Sequence, residues 1–377
     1  MFGWMFDAFF WLALPVALLE ALRIARSERK RQRRALTSAV AYAGLELLAL
    51  GLCAATSSPL LFCVVALVRI AIVHARERQW WVRGVVEAAL IGAALASLLL
   101  HGEIGSFAEV ASASLDEPWR VTILVLLCTA CVVAILPVRV ADEPKETLAA
   151  PLTFIAFARV AVPLGVGQPQ FALVVPILAA ALSLVCALWL LSAGVRANHF
   201  EPSTLVSELL VCERGVMLSF VWLGLSSGEH LAIVGALLQW WSSALALLAL
   251  EACLRRRPLP KPMAFFALAM AVSLPGTIGF VAEDLLAHGL LELRPLLAAA
   301  FVGVAALNAA ALYLALVNII VDVRGPQPQQ PEPELRPSAM MLAAAGLSLL
   351  MGLIPRPFVA EATAAHEVLT QAADQPG

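Results

Sequence analysis

Apolar runs of about 20 residues recur from one end of this sequence to the other, each close to the length a helix needs to cross a bilayer core. They fall at about 5–24, 36–57, 59–75, 82–101, 119–138, 148–167, 171–194, 207–227, 230–252, 262–291, 295–321 and 337–356. Lipid offers no partner to an unpaired N–H or C=O, so a spanning segment must be a helix or part of a closed barrel. The runs lack period-2 alternation and are about twice as long as a membrane strand, which excludes the barrel. Of the 377 residues, 61% are hydrophobic and 14% charged. A soluble protein of this size uses about a quarter charged residues. The expected fold class is therefore all-α, a polytopic transmembrane helix bundle of about twelve spans. A single transmembrane domain is expected over 1–357, followed by a short extramembrane tail at 358–377.

The placement of basic residues predicts the orientation. Arg26 to Arg34 is a dense basic cluster, Arg76, Arg78 and Arg83 follow the third span, and Arg139 and Lys145 follow the fifth. Arg196 follows the seventh, and Arg255 to Lys261 the ninth. All of these lie on one side if every run crosses once. The loop from Gly102 to Pro118, on the other side, has Glu103, Glu109, Asp116 and Glu117 but no Lys or Arg. The positive-inside rule makes the basic side cytoplasmic and puts both termini on the periplasmic side of a bacterial inner (cytoplasmic) membrane. The segment 325–337, rich in proline, then reads as an extended cytoplasmic loop. The first run is followed, not preceded, by its basic segment, the layout of a spanning helix and not of a cleaved signal peptide.

Several function classes drop out. The sequence has no ATP-binding motif, no basic surface for nucleic acid and no soluble segment large enough for cofactor chemistry. Cys53, Cys63, Cys128, Cys131, Cys186, Cys212 and Cys253 all fall in or at the ends of apolar runs, at spacings unlike any zinc, iron–sulfur or haem motif. They read as small packing residues. No metal site and no cofactor is expected on this chain.

Ionisable residues inside spans are costly and face the protein interior or a water-filled path. Glu46, Arg69, Glu87, Arg159, Glu208, Glu213, Arg214, Glu283, Asp284 and His288 are of this kind. The plainer reading is that those near span ends reach toward headgroups and that others form structural pairs. The run at 262–291 stands apart. Pro275 and Gly276 near its middle remove a helix hydrogen bond, so this span is expected to be a proline-glycine-broken helix, with Gly279 just after the break. Glu283, Asp284 and His288 follow, and helical spacing puts Asp284 and His288 on one face with Glu283 beside them. A broken helix carrying carboxylates is a common way to build an ion or proton site. The competing reading is a kink with charges at the helix exit.

Four segments resemble those of a known family. Ser273-Leu-Pro-Gly-Thr-Ile-Gly-Phe-Val-Ala-Glu283 is similar to G-x-P-G-T-x-x-F-V-G-E, and Val234 to Ser243, with Gln239, is similar to Q-G-A-x-x-Q-M-x-x-H. Ser207 to Met217 resembles D-x-K-R-x-x-A-Y-S-S-x-x-H-M-G more weakly, and Ile135-Leu-Pro137 with Ala150-Pro151 matches the spacing of K-x-x-x-x-P…A-P. In that order they resemble the antiporter-like, proton-translocating membrane subunits of respiratory complex I, Mrp antiporters and membrane-bound hydrogenases, over about residues 55–355. The resemblance is to a divergent member lacking the family's first pair of spans. It implies a proton-transfer role for Glu283, other membrane subunits as partners, and a quinone site on those other subunits.

The departures are specific. The family's fifth-helix glutamate falls on Leu67, its lysine partner on Val132, and the histidine of the Q-M-x-x-H helix on Ser243. The central lysine of the next helix falls near Leu164, unless a register shift lets Arg159 replace it. An arginine holds its proton too firmly to relay it. The expected function is a proton- or cation-translocating subunit of a larger membrane complex, with no bond chemistry of its own. Its path residues are Glu283, Asp284 and His288, with Glu46, Arg159 and Glu213 as further candidates. One alternative is a non-pumping scaffold subunit. Another is the membrane subunit of a proton-coupled inorganic-carbon uptake system with a soluble catalytic partner.

Overall fold

The computed structural model describes residues 7–11, 13–19, 21, 36–76, 81–102, 104, 106–110, 113, 115–136, 150–165, 168–196, 202–254, 261–322 and 339–370. The basic cluster at 26–34 and the proline-rich segment at 325–337 lie outside these residues. Within them the chain is helical, with no β-strand. The helices are α1 (Ala8–Leu19), α2 (Leu36–Ala55), α3 (Pro59–Arg76), α4 (Trp81–Gly102), α5 (Glu117–Ile135), α6 (Pro151–Gly165) and α7 (Pro169–Val195). They continue with α8 (Pro202–Leu225), α9 (His230–Leu254), α10 (Lys261–Ala271), α11 (Ile278–Leu293), α12 (Pro295–Asp322), α13 (Ala339–Leu353) and α14 (Arg356–Thr370).

Five stretches are long and apolar enough to cross a membrane: Val85–Gly102, Glu117–Ile135, Pro169–Val195, His230–Leu254 and Pro295–Asn318. A sixth arises if α13 and α14, bent by 83° at Pro355, count as one broken span. Among the described residues, Ala8–Leu19, Pro59–Arg69, Pro151–Gly165 and Pro262–Ala271 are shorter apolar helices. α8 is long enough but holds Glu208, Glu213 and Arg214. The protein is thus a multi-pass membrane helix bundle. Its outward faces agree: on α7, Leu173, Val174, Ile177, Leu178, Leu184, Val185 and Leu188 are exposed along one side, an apolar stripe suited to lipid.

Helix α9 is the axis of the bundle, apolar all round and almost wholly buried. It packs on α8, α10, α11, α13 and α14, while α7 joins α8 to α12 and α4 pairs with α5. Small residues let α9 and α11 approach closely. A β-carbon at Gly235 would meet the backbone of Ala282 and Leu286, and one at Gly289 would meet the backbone of Ala232. These two contacts set the register, with α11 running antiparallel to α9.

Helix starts follow the sequence. α5, α6 and α7 each begin with a proline in the first turn, where its missing N–H costs nothing. Helix α6 is irregular. Residues 157–161 form a π-bulge, an extra residue in the helical turn of the kind that often marks functional sites.

Candidate functional site

The break expected in the run at 262–291 is present and has a defined construction. α10 ends at Ala271, α11 begins at Ile278, and Pro275 lies in the gap where it donates no backbone hydrogen bond. Two residues adopt left-handed backbone, Ser273 at φ 52° and Gly276 at φ 97°. The N–H of Leu274 donates to Ala269 O at 2.9 Å, a wide turn that closes α10. Thr277 then caps α11: its Oγ1 accepts from the N–H of Phe280 and donates to Leu274 O. Helix α13 seals the other side, because a β-carbon at Gly352 would collide with the backbone of Gly276 and Thr277.

The break turns Ser273 toward the first turns of α11. Its hydroxyl donates to Glu283 Oε1 at 2.6 Å, a short bond across ten residues of chain. A β-carbon at Gly279 would lie 2.6 Å from Ser273 Oγ and 2.7 Å from Ser242 Oγ. Gly279 therefore leaves room for two hydroxyls, one from the break and one from α9. Gln239, one turn before Ser243 on α9, is 1% exposed, and neither its amide oxygen nor its amide nitrogen has a protein partner. The Gly235 and Gly279 contacts bracket it, so it lies level with the Gly279–Glu283 turn of α11.

Glu213 extends this polar track into α8. It is fully buried, its Oε1 accepts from Asn308 Nδ2 of α12 at 3.2 Å, and its Oε2 is without a protein partner. Glu283 is near enough for the two carboxyls to interact electrostatically. Buried polar atoms are paired with protein or with water in nearly all proteins. Orphaned atoms on Gln239, Glu213 and Asn308 are the donors and acceptors that internal water would pair with. A line drawn through Glu213–Asn308, Gln239, Ser242, Ser273 and Glu283, here called the track, touches four helices and the break. A carboxyl at each end can take up and release a proton, and the hydroxyls and amides between can order water.

The remaining candidates fall elsewhere. Asp284 and His288 pair with one another, His288 Nδ1 to Asp284 Oδ1 at 3.3 Å, but their side chains are 55% and 63% exposed and point away from Glu283. They share a stripe with exposed Phe280 and Leu291. Adjacent residues on a helix diverge by about 100°, so packing Glu283 inward puts Asp284 outside.

Arg159 is buried in the π-bulge of α6 and forms a separate cluster. It donates through Nη2 to both carboxylate oxygens of Asp7 at 3.2 Å and to Ala54 O at 2.9 Å. Phe9 and Phe107 lie over its guanidinium. None of these partners is on α8, α9 or α11. Glu46 lies on α2, with its side chain outside the described residues. Leu67, at the family's glutamate position, is 61% exposed on the outer surface. Ser243 donates to the Gln239 carbonyl one turn back, and Glu87 accepts from Thr153.

Two residues here escape a reading of the sequence. Asp7 sits at the mouth of the first apolar run, where an acid looks like a headgroup contact. Asn308 is one of two amides, with Asn318, amid the apolar text of α12, and its polarity was the available signal. Among the described residues no group of three or more His, Cys, Asp or Glu side chains is placed to hold a metal ion.

No family model matches the sequence, and no curated protein matches it. Solved structures do. A chain of the Mrp complex from Dietzia sp. DQ12-45-1b superposes with a TM-score of 0.66 at 16% identity, covering 97% of this chain and 46% of that one. This chain thus spans about half the length of that relative. A chain of respiratory complex I from Thermus thermophilus gives 0.68 at 19% identity, covering 97% and 84% respectively. A chain of the membrane-bound sulfane sulfur reductase, an archaeal respiratory membrane complex, gives 0.67 at 14%, covering 92% and 64%. Over nearly its whole length, the chain has the fold of the antiporter-like membrane subunits that its motifs resemble.

Proposed function

We propose that this protein is a membrane subunit of a hetero-oligomeric complex and that it moves protons along the track from Glu283 to Glu213. The observation that carries the reading is Glu283 itself, a half-buried carboxyl beside a helix break and held by Ser273. An ionisable group in a span is costly unless it is used, and this one lies beside two hydroxyls and level with an orphaned amide. The likeness to chains from three multi-subunit membrane complexes supports partner subunits. So does the exposed Asp284–His288 pair, which suits a polar contact with a neighbouring helix better than bare lipid. In this reading Asp284 and His288 belong to that neighbour contact or to the mouth of the path. Arg159 is a fixed charge held by Asp7. The complex sits in a bacterial inner membrane with both termini periplasmic and 325–337 cytoplasmic.

A scaffold role is the second reading, favoured by Leu67, which faces outward where the family places a proton carrier. Two experiments separate the readings. Affinity purification from native membranes should recover other membrane subunits; recovery of the chain alone contradicts the complex. Proton flux in vesicles holding the whole complex should fall to background in Glu283→Gln. Normal flux with normal assembly supports the scaffold. Recovery with one large soluble catalytic protein points instead to inorganic-carbon uptake.

A further inference from the structure

His230 opens α9 and His366 lies near the end of α14, and their Nδ1 atoms are 2.9 Å apart with the rings edge to face at 4.5 Å. Residues 136 positions apart in sequence meet here at one end of the bundle. Such a contact is a hydrogen bond in which one ring nitrogen donates and the other, unprotonated, accepts. It tolerates one extra proton shared by the pair. It does not tolerate two, because both facing nitrogens then carry hydrogen and both rings carry positive charge.

What the pair holds is helix α14. This helix is joined to α13 through an 83° bend at Pro355 and rests on α9 and on the end of α6 through Ala362, Ala365 and Leu369. Its first turn places Phe358 edge to face on Trp241, with ring centroids 5.7 Å apart. Trp241 adjoins Ser242, whose hydroxyl faces Gly279 on the polar track. Helix α14 thus covers the side of α9 behind which the track runs.

We propose that His230 and His366 form a proton-operated latch that keeps α14 closed over this part of α9. The idea that opening exposes the proton path rests on the reading given above; the latch does not. Among the described residues, the other titratable or charged groups at this end are Glu229 before His230, Glu361 and Glu367 on α14, His288 and Glu292 on α11, whose Gly289 packs on Ala232, and Arg294, which donates to Ala172 O beside Gly228. The part of α6 that meets α14 has no titratable side chain. Between about pH 7 and pH 5 the group that changes charge at the contact itself is imidazole, ordinarily titrating near 6.5. The sign follows: the latch is closed at neutral pH and weakens as pH falls.

The test is amide hydrogen exchange of residues 356–370 in the full-length chain in lipid nanodiscs, at about pH 7.5 and about pH 5, corrected for intrinsic exchange. Wild type should lose protection there about tenfold at the lower pH, the factor that follows from one unit of unfavourable protonation. H366Q and H230Q, each made separately so that one misfolded variant leaves the other, should show no such pH dependence. Equal protection at both pH values in wild type overturns the latch, as does a loss that persists in both variants. E283Q should retain the wild-type response. Since the readout needs no transport, an absence of proton flux in the wild-type complex refutes the transport reading and leaves the latch standing.

Discussion

At the level of single residues, the fold separates groups that look alike in the sequence. Glu283 and Asp284 are neighbours in the chain, yet one is half-buried and accepts from Ser273 and the other pairs with exposed His288. Nothing local distinguishes them, because the choice depends on which side of α11 packs against α9. Glu213 and Asn308 meet across 95 residues, and Asp7 and Arg159 across 152, so neither pairing was legible from spacing. The need for a partner was legible. A guanidinium in an apolar run has to find an anion, and few acids are available in the spans. Removing one member of such a pair leaves a buried charge behind. Asp7→Ala should therefore cost about 3–5 kcal/mol of stability, whereas the paired change Asp7→Leu with Arg159→Met should cost much less. Thermal unfolding in detergent, followed as a double-mutant cycle, checks both; equal losses in the single and paired variants would sink the ion-pair assignment. Ser273→Ala removes the only hydrogen bond given to Glu283 among the described residues, and should lower flux without lowering subunit abundance.

At the level of elements, the break between α10 and α11 was the most readable part of the chain. A proline and a glycine in mid-run prevent a continuous helix whatever packs around them, and Ser273 and Gly276 supply the left-handed turns that close the gap. The left-handed Ser273 is retained although glycine would be easier there, consistent with its hydroxyl being used. Gly276→Val should strain the turn, because a β-branched residue is poorly accommodated at φ 97°, lowering the yield of folded protein on size exclusion. Ser273→Gly should fold at least as well as wild type yet conduct fewer protons, a split between stability and flux that a purely structural serine does not produce. The π-bulge in α6 was not readable. It needs no special residue, only a helix whose buried Arg159 must turn to reach Asp7 and Ala54.

For the whole molecule, apolar run length and the absence of alternation were enough to predict an all-α membrane bundle, because lipid leaves the backbone so few options. The number of crossings was less legible. Twelve runs were expected; among the described residues five helices have the length and composition to span alone, and a sixth arises if the bent pair α13–α14 counts as one. Length and hydropathy alone pass over a helix such as α8, whose Glu213 and Arg214 are buried against other helices. The predicted orientation has its own check: cysteines placed singly at 26–34 in a variant lacking reactive native thiols should be shielded from an impermeant reagent added to the periplasmic side. Labelling from that side reverses the assignment.

The decisive experiment compares proton flux into sealed vesicles carrying the whole complex for wild type, Glu283→Gln and Glu213→Gln, with subunit content quantified in the same vesicles. If protons pass along the track, Glu283→Gln abolishes flux, Glu213→Gln reduces it strongly, and assembly is unchanged in both. Near-normal flux in Glu283→Gln, with the subunit present at wild-type levels, would show that the protons travel through another chain.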